Sequence, residues 1–134
     1  MDVLEGFLKK LEHEIKHERQ KLYAIEKEIA RLRLEERKLK EEYRNLEEPG
    51  FPSDVFSILV KNNYMQNILK RLKKIQSRIE KLEQDAEAVR VIIKEKNAEK
   101  KAIRNYKKKL ENEKNIEELR KETQLIDEIF NRKR

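Results

Sequence analysis

The sequence predicts an all-α protein: a long antiparallel two-helix coiled-coil hairpin whose second helix overhangs at its C-terminus. Of the 134 residues, 46% are charged and 37% are hydrophobic, whereas compact globular domains have about 25% charged and about 45–50% apolar residues. Over two long stretches, apolar residues recur at alternating spacings of three and four, which is the pattern of a coiled-coil seam. Both prolines lie between those stretches. The chain is therefore predicted to be one coiled-coil unit over residues 1–134.

The first helix is predicted over residues 3–47. Counting alternately by three and four from Leu4 to Leu46 gives thirteen positions, and eleven of them are apolar. Only a repeat near 3.5 residues keeps such a stripe against one partner helix. The helix is expected to stop at a turn over residues 48–53, because Pro49 and Pro52 lack an N–H and disfavour helical geometry in the preceding residue.

The second helix is predicted over residues 54–130, with Ser53 as its N-cap. Its seam runs from Met65 to Ile93 at unbroken spacings of three and four. If the turn is centred on residues 49–52, facing residues have numbers that sum to roughly 100, so Leu4 faces about residue 96. About 35 residues, from about residue 97, are then left without an intramolecular partner. Residues 94–134 carry a net charge of +5, most densely over Lys94 to Lys109.

Two glutamates, Glu18 and Glu36, interrupt the first seam. A carboxylate in a seam is unfavourable unless it is paired, and such positions can fix the register. The same sum places Glu18 near Leu82, within reach of Arg78 or Lys81, and Glu36 near Tyr64. Alternatively, each glutamate bends out to solvent.

Several classes of function are not supported by the residues. The chain has no cysteine, so it forms no disulfide or thiolate metal site, and no apolar run approaches the ~20 residues of a membrane span. His13-Glu14-Ile15-Lys16-His17 matches the H-E-x-x-H zinc protease pattern. The chain offers no third histidine, and Ile15 on the seam turns both histidines to solvent. We therefore expect no enzymatic activity, catalytic residue, metal, cofactor or small-molecule substrate.

Two surfaces are candidates for contacts with other molecules. The basic run 94–109 is interpreted as a docking surface for an acidic protein, as a solvated helix face, or as a weak nucleic-acid site, although few aromatic residues accompany it. Four aromatic residues cluster near the predicted turn: Tyr43, Phe51, Phe56 and Tyr64. They either cap the coil or form an exposed contact patch.

The C-terminal part of the chain resembles the ending of the FliJ family, the coiled-coil component of the bacterial flagellar type III export apparatus. The resemblance rests on the charged helix that leads into Ile126-Asp127-Glu128-Ile129, where the family has Leu-Asp-Glu-Ile-Ala, and on a following basic residue, Arg132. Asn63-Tyr64-Met65 followed by Leu69 and Leu72 is similar to the family's second helix. The first helix is shorter than in many members.

The resemblance implies a non-enzymatic stalk that enters the hexameric flagellar export ATPase and promotes its assembly and activity. It also implies contacts with the membrane export gate protein and with export chaperones, and a cytoplasmic location, peripheral at the inner membrane through the export apparatus. No nucleic-acid partner is expected, because acidic residues are interspersed in the basic run and aromatic residues are few. The alternatives are the equivalent stalk of a virulence type III injectisome, or a basic coiled-coil spacer that binds nucleic acid.

Two sets of site residues follow from this reading. The overhang is expected to bind the ATPase through Lys107, Lys108, Lys109, Leu110, Ile116, Leu119, Arg120, Ile126 and Phe130. The four aromatic residues of the tip are expected to contact the export gate.

Overall fold

The protein is a helical hairpin, as the sequence predicts. A computed structural model describes residues 2–48 and 54–132, which form two helices and no strand: α1, Val3–Glu47, and α2, Val55–Arg132. The predicted contact residue Phe51 and the predicted N-cap Ser53 lie outside the described residues. The described residues divide into two compact units. The central unit comprises residues 17–92, and the terminal unit comprises residues 2–16 and 93–132.

Aspartates cap the start of both helices. The Asp2 carboxylate accepts a hydrogen bond from the backbone N–H of Leu4 at 3.2 Å. Asp54 accepts one from the N–H of Phe56 at 2.8 Å and another from the N–H of Ser57 at 3.2 Å. These bonds satisfy backbone donors that the first helical turn leaves without a partner. A hydrogen bond from the Ser57 hydroxyl, followed by those backbone bonds, lowers the pKa of Asp54. Among the described residues, Asp54 therefore caps α2.

The core of the central unit is the two seams packed against each other. All of its buried side chains are seam residues. Ala86 is one of them, and the others form one cluster: Ile29, Leu32, Leu39, Ile68, Leu72, Ile75, Ile79 and Leu82. Ile25, Tyr43 and Leu46 pack against its margin. Removal of these aliphatic side chains from water is the main stabilising contribution to the pairing.

The register of the central unit differs from the predicted one. Arg33 pairs with Glu83, and Arg90 with Glu26 at 3.2 Å; the Tyr64 hydroxyl donates to Glu42 at 3.4 Å. Together with Arg71 and Glu35 at 3.2 Å, these pairs have numbers that sum to 106 or 116. The numbers of facing residues therefore sum to about 111. The predicted sum of roughly 100 is wrong, and the difference corresponds to a displacement of one helix along the other by about three turns.

The apolar seams themselves explain this register. The first seam ends at Leu46 and the second begins at Met65, and at a sum of 111 these two residues face each other. Each seam residue of α1 in this unit then faces a seam residue of α2. Leu39, for example, faces Leu72. The prediction instead centred the hairpin on its prolines. Residues 55–60 of α2, which lie past the end of α1 in this register, bury too little apolar surface to shift it.

The new register changes the partners of both seam glutamates. Glu18 pairs with Lys21 at 3.2 Å and Glu36 with Lys40 at 3.5 Å, in each case along α1 itself. The predicted positions near Leu82 and Tyr64 are therefore wrong. Only 12% of the Glu18 side chain is exposed, and its Oε2 atom is buried without a hydrogen-bond partner in the described structure.

In the terminal unit, the part of α1 that ends at Lys16 pairs with the part of α2 that begins at Ile93. Lys96 contacts Glu14 at 2.6 Å and Lys100 contacts Glu12 at 3.3 Å. Lys107 contacts Glu5 at 2.9 Å. These lysines occupy the continued seam of α2, where their aliphatic stems cover leucines and isoleucines of α1 and their ammonium groups reach out to carboxylates. The seam thus continues through its lysines, and the prediction that residues from about 97 lack a partner is wrong for the part that ends at Lys107.

Candidate functional site: the C-terminal segment of α2

The candidate site is the end of α2 that extends past the beginning of α1. The last ion pair between the helices joins Lys107 to Glu5, and α1 begins at Val3. Every described residue from Lys108 to Arg132 is exposed. This part of the helix, which we call the C-terminal segment, covers residues 108–132 and is about 37 Å long at 1.5 Å per residue. It is shorter than the predicted overhang.

A stripe of apolar side chains runs along the C-terminal segment. Ile116, Leu119, Ile126 and Phe130 are 51–65% exposed, and with Thr123 they repeat the three-and-four spacing of a seam. The Thr123 hydroxyl donates to the backbone carbonyl of Leu119 at 2.9 Å, so its polar atom is satisfied within the helix. The stripe is shifted by two residues from the continuation of the seam that ends near Lys107. It is therefore a separate helix-contact face.

Two exposed residues widen the stripe and were not among the predicted contacts. Leu125 and Ile129 lie beside Ile126 and Phe130, and both are exposed. The sequence offered one signal that could have predicted them. They lie next to two residues with seam spacing, and side chains three and four residues apart share a helix face. Leu110, a predicted contact, is also exposed but lies in the phase of the earlier seam.

The positive charge predicted for the overhang lies mainly elsewhere. Residues 108–132 hold six basic and seven acidic side chains, whereas residues 94–107 hold six basic and two acidic ones. The latter range belongs to the part of α2 that pairs with α1. A side-chain hydrogen bond to Glu5 raises the pKa of Lys107, so this predicted ATPase contact is already an ion-pair partner of α1. The C-terminal segment is nearly neutral.

The remaining predicted cations are exposed. Lys108, Lys109 and Arg120 all face solvent, and a neighbouring pair, Lys121 and Glu117, lies 3.7 Å apart. Because such surface pairs contribute little to stability, these charges remain accessible to a partner. Their mixture of signs favours a partner that also carries both signs rather than a strongly acidic one.

Of the four aromatic residues predicted at the tip, the three that the structure describes differ in exposure. Tyr43 is half-buried against the core, and its role as a contact residue stays a prediction. Tyr64 is exposed and hydrogen-bonded to Glu42, and Phe56 is 75% exposed. Phe51 lies outside the described residues. Phe56 and Tyr64 thus remain as exposed tip residues.

His13 and His17 are both exposed, as the phase of the seam predicts. Among residues 2–48 and 54–132, no group of three or more potential metal ligands comes together. No helix over those residues is long and apolar enough to cross a membrane. Comparison of the chain with protein-family models, curated proteins and solved structures gives no match.

Proposed function

We propose that this protein is a non-enzymatic stalk of a flagellar type III export apparatus and that its C-terminal segment binds the hexameric export ATPase. The observation that carries the proposal is the apolar stripe of residues 116–130. The stripe lies on the part of α2 that extends past α1, and its large side chains are exposed. Such a stripe is an incomplete coiled-coil seam, and a second protein surface would complete it.

The stripe supplies the binding energy in this proposal. Complete burial of one large aliphatic or aromatic side chain contributes about 1.5–3 kcal/mol. The free energy gained by burying Ile116, Leu119, Ile126 and Phe130 together is larger than the entropic cost of ordering a few side chains on binding. The near-neutral segment implies that long-range electrostatic steering contributes little to association. Apolar contacts then determine how long the complex lasts.

The identity of the partner follows from the resemblance of the chain to the FliJ family. Stalks of that kind enter the central opening of a hexameric ATPase, and an extended helix end with exposed side chains suits that task. The same resemblance supports contact of the tip with the membrane export gate, here through Phe56 and Tyr64, and contacts with export chaperones. The protein then works in the cytoplasm, at the inner face of the membrane.

Binding to the purified export ATPase tests the proposal. Three serine substitutions on the stripe, Ile116→Ser, Leu119→Ser and Ile126→Ser, should abolish complex formation in size-exclusion chromatography. The matched control replaces three exposed apolar residues of the central unit, Tyr23, Leu34 and Val91, with serine and should bind as the original chain does. Equal binding by both triple variants would contradict the proposal.

A parallel experiment separates the flagellar role from the injectisome alternative. Flagellar and injectisome ATPases of one bacterium are presented to the full chain at equal concentration. Preferential binding to the injectisome ATPase would assign the protein to the injectisome instead. The proposed role of the stripe in ATPase binding would not change.

A further inference from the structure

The first turns of α2 expose apolar side chains on an outward face. Phe56 is 75% exposed, and Leu59 and Val60 are exposed by more than half. Residues 55–60 lie beyond Glu47, the last residue of α1, in the observed register. No described residue of α1 is therefore positioned to cover Phe56, Leu59 or Val60.

A basic cluster follows on the same face of α2. Lys70, Lys73 and Lys74 lie fourteen residues after Phe56, Leu59 and Val60 respectively. Since fourteen residues make almost four turns, each lysine lies about 21 Å along the same side of the helix. The lysines border one shallow depression with Ser77, and all three are exposed. We call this face the outer strip of α2, from Phe56 to Ser77.

The outer strip contains no negative charge. Residues 55–79 hold six basic side chains and no aspartate or glutamate. In the described structure, no ion pair or hydrogen bond to a carboxylate involves the three strip lysines, whereas Arg71, toward the seam, pairs with Glu35 at 3.2 Å. Asp54, at the start of the helix, is occupied by its bonds to Phe56 and Ser57. Glu42 of α1 borders a neighbouring depression together with Lys70 and Lys74, and it accepts a hydrogen bond from the Tyr64 hydroxyl.

We propose that the outer strip docks on an anionic lipid surface. Phe56, Leu59 and Val60 insert among the lipid headgroups, and Lys70, Lys73 and Lys74 contact the lipid phosphates. The proposal concerns a different surface from the C-terminal segment and does not depend on the ATPase. It shares only Phe56 with the proposed contact to the membrane export gate, and its test uses lipid vesicles without that gate.

Three features favour a lipid surface over a macromolecule. A partner helix needs apolar residues at regular spacing along the whole contact, but amides, Asn63, Gln66 and Asn67, separate the two ends of the strip. A nucleic acid would use the lysines and leave the apolar end exposed to water. The strip cations are all lysines, which act as flexible point charges, whereas arginines suit the fixed bidentate geometry of carboxylates.

Vesicle sedimentation with the full chain tests the charge contribution. The chain should bind vesicles that contain 30% phosphatidylglycerol and should not bind pure phosphatidylcholine vesicles. Lys70→Gln, Lys73→Gln and Lys74→Gln together should lower the partition coefficient about 100-fold, since each lysine at an anionic surface contributes about fivefold to binding. The control replaces the exposed Lys9, Lys10 and Lys27 with glutamine and should retain binding to within about threefold.

A tryptophan reporter tests the apolar contribution. The natural chain has no tryptophan, so Phe56→Trp gives a single emission signal, which should shift to the blue on addition of the anionic vesicles. Trp at the exposed Leu34 of α1 should not shift. The proposal is overturned if the chain does not sediment with anionic vesicles, if the two lysine variants bind equally, or if both reporters shift alike. It is also overturned if the triple substitution of Lys70, Lys73 and Lys74 weakens binding to an acidic protein or a nucleic acid but not to anionic vesicles.

Discussion

The least satisfied side chain of the central unit is Glu18. It occupies a seam position, one of its oxygens pairs with Lys21, and the other is buried without a partner in the described structure. A buried acceptor without a hydrogen bond is destabilising by about 1–3 kcal/mol. Glu36, the second seam glutamate, is more exposed and pairs with Lys40. Two residues that look alike in the sequence therefore differ in their energetics.

This difference predicts unequal effects of the same substitution. Glu18→Leu should raise the free energy of unfolding by about 1 kcal/mol, because it removes the buried unpaired oxygen and completes the seam. Glu36→Leu should give a smaller gain. Urea denaturation of both variants, followed by circular dichroism at 222 nm, measures the two values. Destabilisation by Glu18→Leu would indicate that this carboxylate has a partner that stabilises the fold.

At the scale of elements, the register of the hairpin is set by the seams and not by the turn. Cysteines at Leu22 and Val89, whose numbers sum to 111, should be joined within one chain by a short bismaleimide. Cysteines at Leu22 and Arg78, which sum to 100, should not react, since they lie about 16 Å apart along the helix axis in the observed register. Mass spectrometry of dilute samples distinguishes the pairs. Crosslinking of the second pair alone would contradict the register.

The terminal unit depends on ion pairs more than the central unit does. Lys96, Lys100 and Lys107 occupy the seam where the central unit has leucine and isoleucine. The hydrogen bond from Lys96 lowers the pKa of Glu14 below its ordinary value. A carboxylate with a lowered pKa in the folded state stabilises that state above its unfolded pKa. That contribution is lost as the pH falls through the folded pKa.

Acid and salt should therefore loosen the terminal unit first. When the pH falls through the lowered pKa of Glu14, its carboxylate takes up a proton, and at 1 M salt the partly exposed ion pairs are screened within about 3 Å. Amide hydrogen exchange over residues 4–16 should become about tenfold faster in either condition. Exchange over residues 25–46 serves as the internal control and should change less. Equal acceleration in both ranges would contradict an ion-pair-dependent terminal unit.

For the whole molecule, composition and periodicity were sufficient to predict two long helices. They also predicted which side chains lie on the seams, because the spacing of three and four residues is a property of a single helix. The register was not predicted, since it depends on the match between two seams. Nor was the start of the C-terminal segment, because Lys96, Lys100 and Lys107 appear as interruptions in the sequence although their stems continue the packing.

The most direct test of the proposed function is ATP hydrolysis by the purified hexameric export ATPase. It is measured with the full chain and with a chain that ends at Lys109. The shorter chain retains both paired units and lacks the apolar stripe. Our account predicts that the full chain stimulates hydrolysis severalfold and that the shorter chain, folded to the same helicity per residue, leaves it at the rate of the ATPase alone. Undiminished stimulation by the chain that ends at Lys109 would contradict the assignment of the C-terminal segment.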